Sequence, residues 1–82
     1  MESGLDILTL DKLNPGEKVV IKEFIGKPSE LDYLFEMGLL EDTTVKFVKK
    51  APLGDPIEIS FRGYHLSIRK SVAKLIIVEK AV

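Results

Sequence analysis

The sequence contains no cysteine, no tryptophan and one histidine among its 82 residues. Without cysteine the chain forms neither a disulfide framework nor a Cys-based zinc or iron–sulfur site, and the reducing cytosol is its natural compartment. The longest apolar runs, such as Leu75 to Val78, are far shorter than the roughly 20 residues that a membrane helix needs. The acidic start, Met1 to Gly4, lacks the basic region of a signal peptide. We therefore expect a cytoplasmic protein that does not insert into a membrane.

Side chains for catalysis are scarce too. No serine lies in a nucleophile-elbow sequence, and the glycines are spread singly, so no phosphate-binding loop is predicted. His65 has no second histidine to share a metal; with a carboxylate from Glu58, Glu79 or a symmetry mate it would hold a divalent ion only weakly. The alternative is a histidine that is simply solvated. We predict no enzymatic activity and no cofactor, with His65 as the single weak metal candidate.

The composition is that of a soluble globular protein, with 45% hydrophobic and 30% charged residues. A chain of this length buries one core, so we expect a single domain over residues 1–82. The charges are unevenly distributed along it. Residues 1–42 carry ten Asp or Glu and four Lys, whereas residues 43–82 carry three Asp or Glu and eight Lys or Arg. The fold either separates these into an acidic and a basic face or blends them.

A pair of strands in hairpin register is the clearest pattern in the chain. Residues 57–61 alternate apolar and polar side chains, which is typical of a half-buried strand. Arg62-Gly63 breaks this run, and residues 66–69 resume the alternation, so the second strand returns antiparallel with its apolar side chains on the same face. Further strands are predicted at residues 5–10, 17–25, 43–48 and 76–78.

The sequence predicts one α-helix at about residues 29–37. Ser29 is its expected N-cap, with Asp32 completing a capping box. Gly38 is expected to take the left-handed conformation that ends the helix, with Leu39 closing onto the apolar stripe. That stripe, at helical spacing, consists of Leu31, Leu34 and Phe35.

Residues 70–75 are interpreted as a short helical turn, with Ser71 as a candidate cap. Five or six short antiparallel strands joined by tight turns, with one helix, predict a mainly β fold. We expect the sheet to curl and close on itself into a small barrel, which would remove exposed strand edges.

Two segments are candidates for contact with a protein partner. One is the helix end Met37-Gly38-Leu39-Leu40, and the other is the turn-rich insert Ala51-Pro52-Leu53-Gly54-Asp55-Pro56. Leu53 would be an apolar side chain at a loop tip, and Leu40 lies past the end of the helix. The alternative is that both leucines tuck into the barrel.

A nucleic-acid-binding barrel is the less favoured alternative. Phosphate neutralisation would use a basic surface, and base stacking would use aromatic side chains. Tyr64 is the one plausible stacking platform, because Tyr33 lies in the acidic helix and the strand phenylalanines alternate as core residues do. The candidate cations are Lys46, Lys49, Lys50, Arg62, Arg69, Lys70 and Lys74.

In combination, these segments resemble the FeoA family and the related SH3-like domain at the C-terminus of diphtheria toxin repressor-type regulators. The resemblance covers nearly the whole chain from Leu5 to Val78. It departs from the family pattern at Glu41-Asp42, where Pro-Gly is usual, and at Tyr33, where Arg is usual. The residues that carry it are Leu34-Phe35-Glu36-Met37-Gly38-Leu39, Val45 with Phe47, Lys50 to Ile57, and Gly63 followed by Leu66-Ser67-Ile68-Arg69.

The resemblance implies an SH3-like barrel and a non-enzymatic, cytoplasmic accessory role in ferrous iron uptake. The implied partner is the cytosolic GTP-binding region of the FeoB permease, and we expect the contact to use the two candidate segments, Met37 to Leu40 and Ala51 to Pro56. Self-association stays open, and direct binding of iron(II) would fall to His65. The alternative function is a metal-ion- or nucleic-acid-binding barrel with a regulatory role.

Overall fold

The structure is a computed structural model that describes residues 7–26 and 29–81. Its strands are β1 (Leu8–Thr9), β2 (Lys18–Phe24), β3 (Thr44–Lys50), β4 (Ile57–Phe61), β5 (Tyr64–Ile68) and β6 (Ile76–Lys80). Two helices, α1 (Glu30–Glu36) and α2 (Lys70–Ala73), and a 3-10 turn at Leu10–Lys12 complete the described elements. The mainly β fold with one longer helix and a short helical turn, predicted from the sequence, is confirmed.

All six strands form one antiparallel sheet in the spatial order β1-β6-β2-β3-β4-β5. β3, β4 and β5 follow one another as a meander, whereas β6 returns across the molecule to lie between β1 and β2. β1 and β5 are the edges of the sheet and share no ladder in the part of the chain that the structure describes. Within the described residues the sheet therefore has no hydrogen-bonded seam, and the predicted closure that would remove its strand edges is not made. The two-residue length of β1 limits pairing at that edge instead.

The predicted first strand at residues 5–10 is shorter in the structure. Residues 5 and 6 lie outside the described residues, and the chain leaves β1 after Thr9 to enter the 3-10 turn. This turn places the side chain of Leu10 in the core, where none of its surface is exposed.

The core is formed by the side chains that alternate inward along the strands. β4 shows the pattern most clearly, because Ile57, Ile59 and Phe61 are buried while the residues between them are half-buried. One continuous cluster results, which contains Leu10, Leu13, Val19, Ile21, Leu31, Leu34, Leu39, Val45, Phe47, Ile57, Ile59, Phe61, Ile68, Val72, Ala73, Ile76 and Val78.

The start of α1 differs from the sequence prediction. Ser29 has helical backbone angles, φ −60° and ψ −23°, and its side chain makes no capping hydrogen bond. A capping serine needs extended backbone to reach the first free N–H groups, so the predicted capping box with Asp32 is wrong. Instead, the N–H of Asp32 donates to the carbonyl of Ser29 at 3.1 Å.

The apolar stripe of α1 is confirmed for two of its three residues. Leu31 and Leu34 are fully buried, but Phe35 is 38% exposed. The ring of Phe35 packs edge-on against Phe24, with 4.9 Å between the ring centres, at the margin of the sheet. The helix therefore docks through a narrower face than the spacing predicts.

The predicted end of α1 is confirmed. Gly38 has a φ of +93°, and its N–H donates to the carbonyl of Phe35 at 3.0 Å. The N–H of Leu39 donates to the carbonyl of Leu34 at 2.9 Å. These two bonds define a Schellman motif, in which a residue without a side chain takes the left-handed position.

The helical turn predicted near residues 70–75 is present as α2, but Ser71 is not its cap. Arg69 takes the extended capping position, and Ser71 lies inside the helix. The free N–H of Lys70 donates to Oδ1 of Asp55 at 2.9 Å, so the cap comes from the loop before β4. Among the described residues, neither helix is long and apolar enough to span a membrane.

Candidate partner-binding surfaces

The first candidate surface is the corner, defined here as Met37–Leu40, where the chain leaves α1. Met37 is 42% exposed and Leu40 is 49% exposed, whereas Leu39 between them is fully buried. The side chain of Leu39 therefore belongs to the core, and the partner contact predicted from this segment falls to Met37, Gly38 and Leu40. The corner therefore presents two exposed apolar side chains, and the buried side chain of Leu39 anchors the backbone between them.

Hydrogen bonds hold the chain firmly after the corner. The N–H of Leu40 donates to Oγ1 of Thr43 at 3.2 Å, and the N–H of Thr43 returns a bond to the carbonyl of Leu40 at 3.1 Å. The N–H of Asp42 donates to the carbonyl of Ile21 in β2 at 2.7 Å. Asp42 has a φ of +69°, so Glu41-Asp42 makes the turn without glycine.

A hollow of about 540 Å³ lies beside the corner. Its walls are formed by Phe24, Phe35, Leu40 and Glu41. The helical spacing of Phe35 predicts a core position and not a wall of this hollow, because spacing does not show where the sheet ends beneath the helix. Exposed acidic side chains lie on α1 and in the turn after the corner: Glu30, Asp32, Glu36, Glu41 and Asp42. The surface thus suits an apolar side chain with basic neighbours.

The second candidate surface is the loop, defined here as Ala51–Pro56. The N–H of Gly54 donates to the carbonyl of Ala51 at 2.7 Å, which makes residues 51–54 a β-turn with Pro52 at its second position. Leu53 follows at the third position and is 96% exposed. The prediction that Leu53 is an apolar side chain at a loop tip is thus confirmed, and the alternative that it tucks into the barrel is wrong.

The loop is closed at its base and anchored at one side. The N–H of Ala51 donates to the carbonyl of Pro56 at 3.0 Å, and the Asp55 carboxylate accepts the N–H of Lys70. Sequence reasoning missed this second role of Asp55, because the two residues are far apart in the chain and only the fold brings them together. The tip with Leu53 projects from a fixed base.

The corner and the loop lie at opposite ends of the β4–β5 hairpin. The loop leads into the start of β4, whereas a guanidinium nitrogen of Arg62, just after β4, lies 3.3 Å from where a Cβ on Gly38 would sit. Between them, the hydroxyl of Tyr33 donates to the carbonyl of Ser67 in β5 at 3.3 Å. Since a five-residue strand spans about 16 Å, the two segments form separate surfaces along one side of the hairpin.

The weak metal candidate His65 lies on β5 and pairs with one carboxylate. Its Nδ1 is 2.6 Å from Oε2 of Glu58, and both side chains project from the outer face of the sheet. In the described part of the chain, no three His, Cys, Asp or Glu side chains come together as metal ligands. A transition-metal site needs three or four protein ligands, but here there are only two candidates, His65 and Glu58, and they bind each other. The residues present therefore do not fit such a centre.

Lys46, one of the cations proposed for nucleic-acid binding, lies on the opposite face of the sheet from the one aromatic candidate. Tyr64 is 61% exposed, but it pairs with Phe61, whose side chain faces the core. Tyr64 therefore lies on the other side of β5 from His65 and from the outer face that carries Lys46. Base stacking on Tyr64 would leave the phosphates away from that lysine.

Comparisons of this chain with known proteins, by sequence and by fold, point to one family. The sequence model of the FeoA domain matches residues 8–80. A fusion protein of Fe(2+) transport protein A and the Fe(2+) transporter FeoB, from Porphyromonas gingivalis, is 32% identical over 72 residues. The alignment covers 88% of this chain and 8% of that relative, so the chain corresponds to a small part of the fusion.

Solved structures agree in fold. The FeoA-like protein from Clostridium acetobutylicum is 34% identical, with a TM-score of 0.82 over 93% of this chain and 88% of that one. FeoA from Stenotrophomonas maltophilia, described as a prokaryotic SH3 domain protein complexed with zinc, is 24% identical. Its TM-score is 0.74 over 88% of this chain and 89% of that one, and at this identity the likeness shows the fold alone.

Proposed function

The chain belongs to the FeoA family, and from that premise we propose that it is a non-enzymatic accessory protein of ferrous iron uptake. It acts in the cytoplasm by binding the cytosolic GTP-binding region of a FeoB-type permease. The corner and the loop make the contact.

The observation that carries this proposal is the fusion in Porphyromonas gingivalis, where a related domain and FeoB are one polypeptide. A covalent link keeps two modules at high effective concentration, which is useful when they bind each other. A separate chain must obtain the same contact through its own surface. The exposed apolar side chains of the corner and the loop provide that surface.

The backbone supports binding at both places because it is already ordered. Hydrogen bonds fix the turn around Leu53 and the chain on both sides of Leu40. Little conformational entropy is therefore lost when these leucines enter a partner's pockets. The acidic side chains around the corner favour a partner surface that combines apolar pockets with lysine or arginine.

The test is an NMR titration of the ¹⁵N-labelled protein with the soluble cytosolic domain of FeoB. We expect saturable shifts of amides in the corner and in the loop. Leu40→Ser and Leu53→Ser should each weaken binding, because each removes an exposed apolar anchor. Ile7→Ser is the matched control, since Ile7 is 62% exposed beside β1 and lies outside both segments.

Two results would overturn the proposal. If no amide in either segment shifts at near-millimolar partner, the contact is not made by these surfaces. If Ile7→Ser weakens binding as much as Leu53→Ser, the association is non-specific.

A further inference from the structure

Four polar residues form a straight row across the outer face of the sheet. Lys18 of β2 lies opposite Lys46 of β3, Lys46 lies opposite Ser60 of β4, and Ser60 lies opposite His65 of β5. Val19, next to the first of them, is fully buried, so the row occupies the side of the sheet that faces away from the core. We call these four residues the polar row.

Two hollows flank the polar row. One has a volume of about 310 Å³ and is lined by all four row residues together with Thr44 and Arg62. The other, of about 480 Å³, is also lined by Lys46, Ser60 and His65. The first volume is at the lower end of the range for small-molecule sites.

Lys18, Lys46 and Arg62 form no ion pair with a carboxylate among the described residues, whereas His65, at the end of the row, pairs with Glu58. The ion pairs there are Lys22 with Asp42, His65 with Glu58, and Lys80 with Glu17. The hydrogen bond from Lys80 lowers the pKa of Glu17, so this acid is held as a carboxylate by another lysine. Lys18, Lys46 and Arg62 are thus left with excess positive charge.

The pairing of two lysines across the sheet is unfavourable in itself. Directly opposite residues of an antiparallel pair have Cβ atoms about 5 Å apart, and like charges on such a pair are destabilising. Lys18 and Lys46 are in this relation. A bound anion would remove the repulsion and would be held from both sides.

We propose that the polar row, together with Arg62, is a binding site for a phosphate-class oxyanion. The lysine ammonium groups and the Arg62 guanidinium supply charge-assisted donors, and the hydroxyls of Ser60 and Thr44 supply neutral donors. Three cations around one hollow favour a ligand with several negative charges, such as a diphosphate group, over a single carboxylate. Arg62 also lies next to the corner, since its guanidinium is 3.3 Å from where a Cβ on Gly38 would sit. The other residues of the site lie outside the corner and the loop, and the site does not depend on the proposed function.

The test is an NMR titration at low ionic strength with inorganic pyrophosphate as the probe. We expect saturable shifts of the amides of residues 44–46 and 60–65. Lys46→Gln should weaken pyrophosphate binding about tenfold, as the loss of one charge-assisted hydrogen bond predicts. Lys74→Gln makes the same change of charge outside the row and should alter the affinity less than about twofold.

A second measurement uses the repulsion directly. Because Lys46→Gln removes one of two facing charges, its midpoint of urea unfolding should rise without ligand, which also shows that the variant folds. A lower midpoint would contradict the repulsion.

Three outcomes of the titration would overturn the site. These are shifts that stay linear in pyrophosphate, an equal loss of affinity in Lys74→Gln, and tighter binding of a short RNA with shifts that extend to Tyr64. The last outcome would assign the surface to nucleic acid.

Discussion

The corner and the loop both expose leucine, but the fold supports them in different ways. At the corner, the exposed Leu40 follows a leucine with no exposed surface, and the Schellman motif joins the segment to α1. At the loop, Leu53 is 96% exposed and none of its neighbours in residues 51–56 belongs to the core cluster. The corner is continuous with the core, whereas the loop is an appendage on a fixed base.

Because of this difference, variants in the two regions report on different properties, namely folding stability and partner binding. A change at Gly38 or Leu39 alters helix termination or core packing together with any partner contact, so its binding effect must be measured on a folded variant. A change at the tip of the loop leaves the core untouched and reports on the partner alone. The variants below test the distinction, beginning with the largest expected effect.

Leu39→Ala should have the largest effect, a loss of about 3 kcal/mol in the free energy of unfolding. The side chain is fully buried, and its truncation leaves a cavity beneath the corner. Urea denaturation followed by circular dichroism measures this loss. Leu40→Ala is the matched control, since its side chain is 49% exposed, and equal losses in the two variants would show that the corner is not anchored by Leu39.

Gly38→Ala and Gly54→Ala compare the two segments at one backbone conformation. Both glycines have positive φ, +93° and +88°, but a Cβ on Gly38 would meet the Arg62 guanidinium at 3.3 Å, whereas one on Gly54 meets nothing within 4 Å. We expect the free energy of unfolding to fall by about 2 kcal/mol in Gly38→Ala and by about 1 kcal/mol in Gly54→Ala. Both variants strain the backbone, but only the new Cβ at position 38 also crowds a neighbouring side chain. Thermal or urea unfolding measures both, and equal losses would mean that Arg62 moves aside freely.

These glycines also show what the sequence predicts well. The end of α1 at Gly38 was predictable because a Schellman motif depends on residues that are adjacent in the chain. The β4–β5 hairpin was predictable for the same reason, since its period of two is interrupted only at Arg62-Gly63. Features that depend only on residues adjacent in the chain can be predicted from the sequence.

Features that depend on distant segments were not predictable. The exposure of Phe35 depends on where the sheet ends beneath α1, and the cap of α2 comes from Asp55 rather than from the neighbouring Ser71. The polar row requires the register of four strands, so alternation alone does not place Lys18 opposite Lys46. Local pattern predicted the elements, and tertiary register decided which surfaces they create.

Asp55→Ala should have an intermediate effect, lowering the free energy of unfolding by about 1 kcal/mol. It removes the acceptor for the N–H of Lys70 and leaves the first turn of α2 uncapped. Asp55→Asn keeps an oxygen at the same position and should retain most of the stability. Urea unfolding gives the loss, and hydrogen exchange at the Lys70 amide should quicken only in the alanine variant. Equal exchange in both variants would show that this bond does not hold the base of the loop.

Leu53→Ser should have the smallest effect on folding, a change within about 0.5 kcal/mol, because almost all of the side chain is already in water. Its affinity for the cytosolic domain of FeoB should fall about tenfold or more, as expected for the loss of an apolar anchor.

Combining Leu53→Ser with Leu40→Ser tests whether one partner covers both ends of the hairpin. Since the two side chains lie at opposite ends of the hairpin and share no contact partner in it, their binding losses should add within about 0.5 kcal/mol in calorimetric titrations. If the double variant binds no more weakly than Leu53→Ser alone, the partner contacts the loop and not the corner.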